Sequence, residues 1–507
     1  MAKSFIHTIK NKNNAAEYAY IYTPHKINGK KDNSPVYLGR VIDKDRGIFQ
    51  SRARGTFSYS IDNGYGDVVT EANGTLHINE RLILDFGDAY CLYETLKKHN
   101  LFDMISNIVP GKEDTMMSVL GFKLLASASN RYAEDWWEGS YARILFPNAK
   151  LRSQRLSEFY EQLGDEAVNR RFFQNYLCMF FKNKPVGVLI DSTGMPNDIH
   201  FSLTAVNTHN GVTSKESRLL LVVDRESGMP LFFRYNAGNI VDVTTLRATF
   251  AELDAYGVKI DYAIVDAGYY SANNIRSLYG DDDKNKPIPF LTRIGPNLTL
   301  YKQLISEHAD GLFQAEYMLM QRDRLLSVKR VAIDLFNHQA YAYVALDHAR
   351  REEEIYRYAK TALNNNDFSH EEMNAAMKEK GLFILVSSEK IETIDIMPLY
   401  YTRQAIEQIF DISKNYAELL PLRVHNEDTF RGHLMLSFVA TIVFLTVNQL
   451  LKDTLFNAEG AFFILSNQKC KVFDDCVLPK EANKKMNDIY KKLKIEPPIR
   501  IAIGGNK

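Results

Sequence analysis

Two short apolar runs, each ending in an aspartate, limit the folds open to this chain more than any other feature. The first is VGVLID at 186–191, and the second ends KIDYAIVD at Asp266. Short apolar runs bounded by turn-forming residues are typical of buried β-strands. An aspartate at a strand end is most often a turn or capping residue, so neither Asp191 nor Asp266 identifies a catalytic site by itself.

The segments between these two runs predict a hairpin followed by a helix. SRLLLVVD at 217–224 and PLFFRY at 230–235 flank the turn RESGM, a pattern that indicates two antiparallel strands. DVTTLRATFAELDAYG at 242–257 predicts a helix, with Asp242 as its N-cap and Gly257 as its stop. We interpret Asp224 and Asp242 as turn or capping residues.

Further elements complete an order that is known from one fold class. SANNIRSLYG at 271–280 predicts a short helix, and GLFILVSS at 381–388 predicts one more apolar strand before a final helix. The order is strand, strand, strand, helix, strand, helix, insertion, strand, helix, as in an RNase-H-like α/β fold. In that fold the first and fourth strands lie side by side, so we expect the carboxylates of Asp191 and Asp266 to lie close together.

The final helix, predicted within LYYTRQAIEQIFDISKNYAELLPLR at 399–423, has one charged face. Tyr400, Arg403, Glu407 and Lys414 fall within an arc of about 60° on a helical wheel, and the apolar residues fall opposite. Most charged stripes are solvated faces, and an i, i+4 pair on an exposed helix is worth only ~0.3 kcal/mol. Asp411, however, lies four residues after Glu407, where like charges repel, and a cation would relieve that repulsion.

Three carboxylates that converge from two strands and a helix suit metal-dependent chemistry. Asp191, Asp266 and Glu407 would repel one another unless cations neutralised them, and hard oxygen ligands favour Mg²⁺ or Mn²⁺. Two such ions about 4 Å apart could hold the attacking and leaving oxygens of a phosphoryl transfer. We assign the third position to Glu407 rather than Asp411, because Asp411 is shorter and lies about 6 Å further along the helix axis.

At this point the chain resembles the DDE transposases of bacterial insertion sequences, specifically the insertion-sequence-four superfamily. The resemblance rests on VLIDSTG at 188–194, IVDAGYYS at 264–271 and the spacing Y-x2-R-x3-E-x6-K at 400–414, and it covers roughly residues 180–455. It implies that Asp191, Asp266 and Glu407 form the metal-binding and catalytic triad.

The same resemblance implies the substrate and the reaction. Tyr400, Arg403 and Lys414 would contact the DNA backbone beside the scissile phosphate, and the two cations would bind phosphates. The enzyme would cleave double-stranded DNA at the transposon ends and join the resulting 3′-hydroxyl to target DNA, acting as a homodimer in the DNA complex.

Composition and charge predict the division of the chain. We expect a basic β-rich segment at 1–75, a helical domain at 76–180 that binds transposon ends, the catalytic core at 181–455 with an insertion at about 297–378, and a basic tail at 456–507. Residues 1–55 hold eleven Lys and Arg against four Asp and Glu, although the net charge of the chain is zero. Basic ends favour a polyanionic partner.

Local patterns refine this division. SPVYLGRVIDKDRGIFQS at 34–51 predicts two strands around a turn, LLSVKRVAIDLFNHQAYAYVALD at 325–347 predicts a hairpin around FNHQ, and residues 351–363 predict a helix. Residues 434–451 lack charge for eighteen positions, but their Ser, Thr, Asn and Gln content favours a buried core helix over a membrane span.

Location and two alternative functions complete the interpretation. Four scattered cysteines and the lack of an apolar run at the N-terminus predict a reducing, cytoplasmic location, and the DNA substrate that the resemblance implies predicts association with the nucleoid. An RNase-H-like nuclease or resolvase would need the same carboxylates but gives no reason for Tyr400 and Lys414. A domesticated DNA-binding protein would not need an intact triad.

Overall fold

The structure is a computed structural model that describes residues 4–503, apart from 11–15, 28–29, 33–34, 52–53, 71–75, 81, 127, 183, 198–201, 210–211, 239–244, 282–285, 366–368, 418 and 421–425. The chain divides into two compact units. The first comprises Met1–Asp103, Asp114–Arg152 and Thr446–Lys507, and the second comprises Met104–Glu113 and Ser153–Leu445.

The first unit begins with an antiparallel sheet of seven strands in the order β1-β2-β5-β6-β7-β8-β9. The strands are β1 Phe5–Lys10, β2 Glu17–Tyr22, β5 Pro35–Asp43, β6 Ile48–Ser51, β7 Gly55–Ser60, β8 Gly64–Thr70 and β9 Leu76–Glu80, and β3 His25–Ile27 pairs separately with β4 Lys30–Asp32. Ala19, Leu38, Phe49 and Phe57 form a buried cluster on one face of this sheet. The two strands predicted within residues 34–51 are therefore confirmed as β5 and β6.

A smaller sheet in the same unit joins distant parts of the chain. Its order is β10 Leu82–Asp85, β21 Lys469–Val472, β22 Cys476–Pro479 and β23 Ile501–Ala502. The helices of this unit are α1 Gly87–Lys98, α3 Glu113–Leu125, α4 Ala133–Gly139, α5 Ala142–Leu145, α16 Ala458–Leu465 and α17 Lys484–Lys492, while α2 Phe102–Ser106 crosses between the units. The residues predicted as a C-terminal tail thus contribute strands and helices to a folded unit, and the division into four domains stays a prediction.

The second unit is built on a ten-stranded mixed sheet. Nine strands follow the order β12-β13-β11-β15-β16-β20-β19-β18-β17, and β14 pairs with β13. Their bounds are β11 Pro185–Pro196, β12 Ala205–His209, β13 Val212–Asp224, β14 Pro230–Ala237, β15 Lys259–Val265, β16 Phe290–Ile294, β17 Met318–Gln321, β18 Arg324–Leu335, β19 His338–Asp347 and β20 Leu382–Ser387. The predicted hairpins are confirmed as β13–β14 and β18–β19, both antiparallel.

Helices of the second unit connect and cover these strands. They are α6 Ser153–Leu163, α7 Glu166–Phe181, α8 Leu246–Ala255, α9 Ala272–Tyr279, α10 Thr299–His308, α11 His348–Asn365, α12 His370–Lys378, α13 Thr393–Tyr401, α14 Gln404–Asp411 and α15 Glu427–Leu450, whose residues from Thr446 onward belong to the first unit. The predicted start of the helix at 242 is corrected to Leu246 with Thr245 at the N-cap position, and Asp242 itself lies outside the described residues. Gly257 has φ +82°, a left-handed conformation that ends the helix as predicted.

Helix α15 is the core helix predicted from residues 434–451. In the described part of the chain it is the one helix long and apolar enough to cross a membrane, but 83% of its most apolar window is buried inside the protein. Phe438, for example, packs against Phe172 and Phe173 of α7 with ring centroids 6.4 and 5.5 Å away. A helix that is buried on all sides in a protein core can be as long and as apolar as a helix that spans a membrane.

The segment predicted as one helix around 399–423 is broken in two places. Helix α13 ends at Tyr401, α14 begins at Gln404, and Ile412–Tyr416 form a π-helical turn. The Thr402 hydroxyl donates to the Leu399 carbonyl oxygen at 2.7 Å, and the Arg403 amide donates to the Tyr400 carbonyl, which tightens the chain at the first break. The predicted wheel therefore holds within α14 but not from Tyr400 to Lys414.

Candidate active site

The first two predicted carboxylates lie on adjacent parallel strands. β11 pairs with β15, and the last pair in register is Ile190 with Val265, so Asp191 and Asp266 each follow that pair directly. The prediction that Asp191 ends its strand is wrong, because β11 continues to Pro196 through antiparallel pairing with β13. Asp266 does follow the last residue of β15.

One guanidinium group joins these two aspartates. Arg403 Nη2 donates to Asp191 Oδ2 at 2.9 Å, and Arg403 Nη1 lies 3.2 Å from Asp266 Oδ1. The Arg403 side chain is only 19% exposed, and its two carboxylate partners keep its pKa raised against the opposing effect of burial. Asp191 and Asp266 therefore share a single cationic partner.

Burial dominates the electrostatics of Asp191. Burial raises the pKa of its carboxyl above the ordinary value, Arg403 lowers it, and the neighbouring Asp266 raises it. A carboxylate held out of water beside a second carboxylate needs a cation to stay ionised. The Arg403 guanidinium supplies that cation in this structure.

Glu407 comes from α14, whose apolar face is buried as predicted. Ile406, Ile409 and Phe410 are buried, whereas Glu407 and Asp411 are exposed. The Asp411 carboxylate accepts a hydrogen bond from Asn415 Nδ2 at 2.6 Å, so it is used locally. Glu407 lies one turn after Arg403 and lines the cavity described next.

A cavity of about 180 Å³ opens beside Arg403 and Glu407. Tyr400 lines this cavity and is only 8% exposed. Burial raises the pKa of the Tyr400 hydroxyl, and the neighbouring Arg403 guanidinium lowers it. The other lining side chains come from β16, β18, β19, β20 and the helices α11, α13 and α14: Arg293, Arg324, Asp347, Arg350, Phe383, Met397, Tyr401 and Gln404.

Lys414 contacts β11 at Thr193, two residues after Asp191. Its Nζ donates to Thr193 Oγ1 at 2.6 Å, and burial lowers its pKa. Arg218 of β13 donates to the Ser192 hydroxyl at 2.6 Å. Every residue of the segment Asp191, Ser192 and Thr193 is thus contacted by a cationic side chain.

Several of these site residues could not be assigned from the sequence. Ser192 and Thr193 are part of the quoted VLIDSTG run, so the motif included them without a role. Arg324 and Arg350 come from β18 and α11 within the predicted insertion, and no spacing relates them to Asp191 or Glu407. Only the tertiary fold shows that they line the same cavity.

The residues present fit a divalent cation in part. Asp191 and Asp266 face one cation, the Arg403 guanidinium, and hard carboxylate oxygens are what Mg²⁺ and Mn²⁺ prefer. Within the described ranges, however, no three acidic, histidine or cysteine side chains are grouped closely enough to hold one ion. The structure therefore brings two of the three predicted metal ligands, Asp191 and Asp266, together at the Arg403 guanidinium. Glu407 lies one helical turn after Arg403.

Comparison with known proteins identifies the family of the chain. A family model described as "Transposase DDE domain" matches residues 182–443, more than half of the chain. A solved structure of a piggyBac transposase synaptic complex with hairpin DNA has a TM-score of 0.41 and 9% identity, covering 75% of this chain and 79% of that one. No curated protein matches the sequence. On the family match, the chain belongs to the DDE transposases and is an enzyme of that family.

Proposed function

We propose that this enzyme is a transposase of the insertion-sequence-four superfamily, encoded by a bacterial insertion sequence, which cuts DNA at the ends of its element and joins them to target DNA. One observation carries the proposal: a single guanidinium group bridges Asp191 and Asp266. This arrangement supports a shared cation site on two adjacent parallel strands. The Y-x2-R-x3-E-x6-K spacing adds Glu407 from the same segment as the bridging arginine.

The strand order supports an RNase-H-like core. The five core strands are, in chain order, β11, β13, β14, β15 and β16. In the sheet they lie side by side in the order third, second, first, fourth, fifth. β11, β15 and β16 are parallel to one another, and β13 is antiparallel to its neighbours. This order brings the ends of the first and fourth core strands together. It is the arrangement expected of a core that holds two aspartates at one edge.

Asp191, Asp266 and Glu407 would hold Mg²⁺ or Mn²⁺, two ions for a two-metal reaction. When bound, these cations would activate a hydroxyl nucleophile and neutralise charge on the scissile phosphate. To admit them, the Arg403 guanidinium must leave its place between the two aspartates, because like charges would otherwise share one site. Once displaced, the guanidinium would remain near these carboxylates, where it is suited to bind a phosphate of the DNA backbone through bidentate hydrogen bonds.

The remaining side chains would position the DNA strand. Lys414, held by Thr193, places a second cation next to Asp191 in the fold, and Tyr400 forms one wall of the cavity beside Arg403. Phosphate contacts of this kind fix the register of the strand without reading its sequence. We assign end recognition to residues 76–180 and expect a homodimer on double-stranded DNA in the cytoplasm, at the nucleoid.

The test is cleavage and joining of labelled DNA that carries the inverted repeats flanking the gene. We expect nicking at the repeat ends in Mg²⁺ or Mn²⁺ and none in chelator, followed by products joined to a second DNA. Cutting that is equal in chelator would overturn the metal mechanism. Nicks without any joined product in either metal would assign the core to a hydrolytic nuclease instead of a transposase.

A further inference from the structure

The outer face of the N-terminal sheet carries a row of aromatic side chains that the catalytic core does not explain. In the register of β1, β2 and β5, Phe5 lies opposite Tyr22, Tyr20 lies opposite Tyr37, and Tyr18 lies opposite Arg40. Directly paired residues point to the same face of a sheet. We call this set the aromatic platform: Phe5, Tyr18, Tyr20, Tyr22, Tyr37 and Arg40.

The platform faces away from the core of its own sheet. Ala19 and Leu38, which alternate with platform residues along β2 and β5, are buried in the cluster on the opposite face. Phe5 is 46% exposed and Tyr37 is 50% exposed. Because the fold buries the other face, these rings contribute less to the core than their size would allow, and an exposed apolar patch of this kind marks an interaction surface.

The rings contact one another in two groups on the same face, Phe5 with Tyr22 and Tyr37 with Tyr18 and Tyr20. The Phe5 and Tyr22 rings stack at 5.5 Å with an angle of 9° between their planes. Tyr37 lies 5.4 Å from Tyr20 and 6.4 Å from Tyr18 between ring centroids. Three adjacent strands at a spacing of ~4.8 Å give a width of about 10 Å between the outer two, which is enough for about two or three nucleotide bases.

The charge around the platform selects an anionic partner. Arg40 is exposed beside Tyr18 on the platform face, whereas Glu17 of the same strand alternates to the other face and pairs with Lys44 at 3.2 Å. The first 55 residues carry eleven Lys and Arg against four Asp and Glu. A ligand that combines flat apolar groups with repeated negative charge fits this surface better than another protein or a lipid tail.

We propose that the aromatic platform binds unpaired DNA bases, by stacking on the rings while Arg40 contacts a phosphate. Unpaired bases expose the ring faces that a duplex hides, and aromatic side chains with nearby cations are the usual means of binding single strands. The proposal rests on DNA being the substrate of the enzyme. It adds a second DNA contact, on a different sheet from the carboxylates.

The experiment measures binding of the full chain to a fluorescent 15-nucleotide oligo-dT and to a duplex of equal length, in chelator so that no cleavage occurs. Tyr37→Ala and Arg40→Gln should each weaken oligo-dT binding, Tyr37→Ala by about tenfold, with a much smaller effect on the duplex. Tyr37→Phe, which keeps the ring, should bind like the wild type. Tyr356→Ala, at a tyrosine 67% exposed on α11, is the matched control and should change nothing.

Other outcomes would overturn the proposal. Unchanged oligo-dT affinity in Tyr37→Ala would remove the platform as a DNA site, and equal losses on oligo-dT and duplex would remove base stacking. A change of molecular mass by light scattering, with DNA binding unaltered, would make the platform a contact between copies of this chain. Failure of the wild type to cut end DNA would refute the proposed function, but the oligo-dT comparison would still decide this proposal.

Discussion

Asp191 and Asp224 lie on neighbouring strands and are equally buried, each 8% exposed, yet they differ in the origin of their side-chain partners. The Asp224 carboxylate accepts hydrogen bonds from the amide and the hydroxyl of Ser227, three residues later. The Asp191 carboxylate accepts a hydrogen bond from the adjacent Ser192 amide, but its side-chain partner is Arg403, 212 residues later. Burial does not distinguish a turn-capping aspartate from a site aspartate, whereas the origin of its partner does.

The first prediction concerns variants that neutralise Asp191 or Asp224. Asp191→Asn should reduce DNA cleavage by at least about 10³-fold, because it removes a ligand that neutralises transition-state charge through the metal. Asp224→Asn should leave cleavage by the folded enzyme within about twofold and lower the free energy of unfolding by about 1 kcal/mol, the loss of charge-assisted hydrogen bonds. End-DNA nicking and denaturant titration measure the two effects. Equal loss of cleavage in both variants would end the distinction.

The second prediction applies the same contrast to the two acids of α14. Glu407→Gln should abolish cleavage while leaving the fold and end-DNA binding largely intact. Asp411→Asn should keep substantial activity, because Asp411 is exposed and bonded to Asn415 within its own segment. Both purified variants are compared in the same nicking and gel-shift assays. Activity retained in Glu407→Gln but lost in Asp411→Asn would reverse the choice of ligand.

The sequence predicts those features of the two aspartate sites that depend on neighbouring residues or on the order of the strands and helices. The strand runs that end near Asp191 and Asp266, and the turn after Asp224, follow from composition over a few residues, and the order of elements predicted that β11 and β15 would be neighbours. The apolar and charged faces of α14 follow from its period. These features are local or topological, so a single sequence is sufficient for them.

The remainder depends on tertiary contacts that no spacing encodes. The family resemblance implied that Arg403 contacts DNA phosphates, whereas its salt bridges to Asp191 and Asp266 depend on how the fold places it. The cavity residues Arg324 and Arg350 belong to the predicted insertion, and only its docking as β18 and α11 brings them near Glu407. The π-helical turn that carries Lys414 has no sequence mark.

The third prediction sharpens the role of Arg403 as the partner that defines the site. Arg403→Gln should tighten Mn²⁺ binding in the absence of DNA by about tenfold, because the guanidinium that competes for Asp191 and Asp266 is gone. Electron paramagnetic resonance of free Mn²⁺ measures the affinity independently of activity. Arg357→Gln, which removes an arginine paired with Glu353 on α11, is the control. Unchanged or weaker Mn²⁺ binding in Arg403→Gln would contradict the competition.

The smallest expected effect concerns Lys414. Lys414→Ala should reduce end-DNA affinity and lower the slope of log affinity against log salt by about one, because one phosphate contact and its released counterion are lost. Lys360→Ala, at an exposed position of α11, should leave the slope unchanged. The slope is obtained from fluorescence anisotropy over a series of salt concentrations. If Lys414→Ala matches Lys360→Ala, then Lys414 supports β11 through Thr193 and does not bind DNA.

A change of metal preference decides whether the aspartates bridged by Arg403 are ligands of a catalytic divalent ion. In Asp266→Cys a thiolate replaces a carboxylate, and a thiolate is a poor ligand for Mg²⁺ but a better one for softer ions such as Mn²⁺. We expect end-DNA cleavage to be lost in Mg²⁺ and partly restored in Mn²⁺, while Asp411→Cys cuts DNA equally in both metals. Full cleavage by Asp266→Cys in Mg²⁺ would show that Asp266 is not a ligand of the catalytic ion.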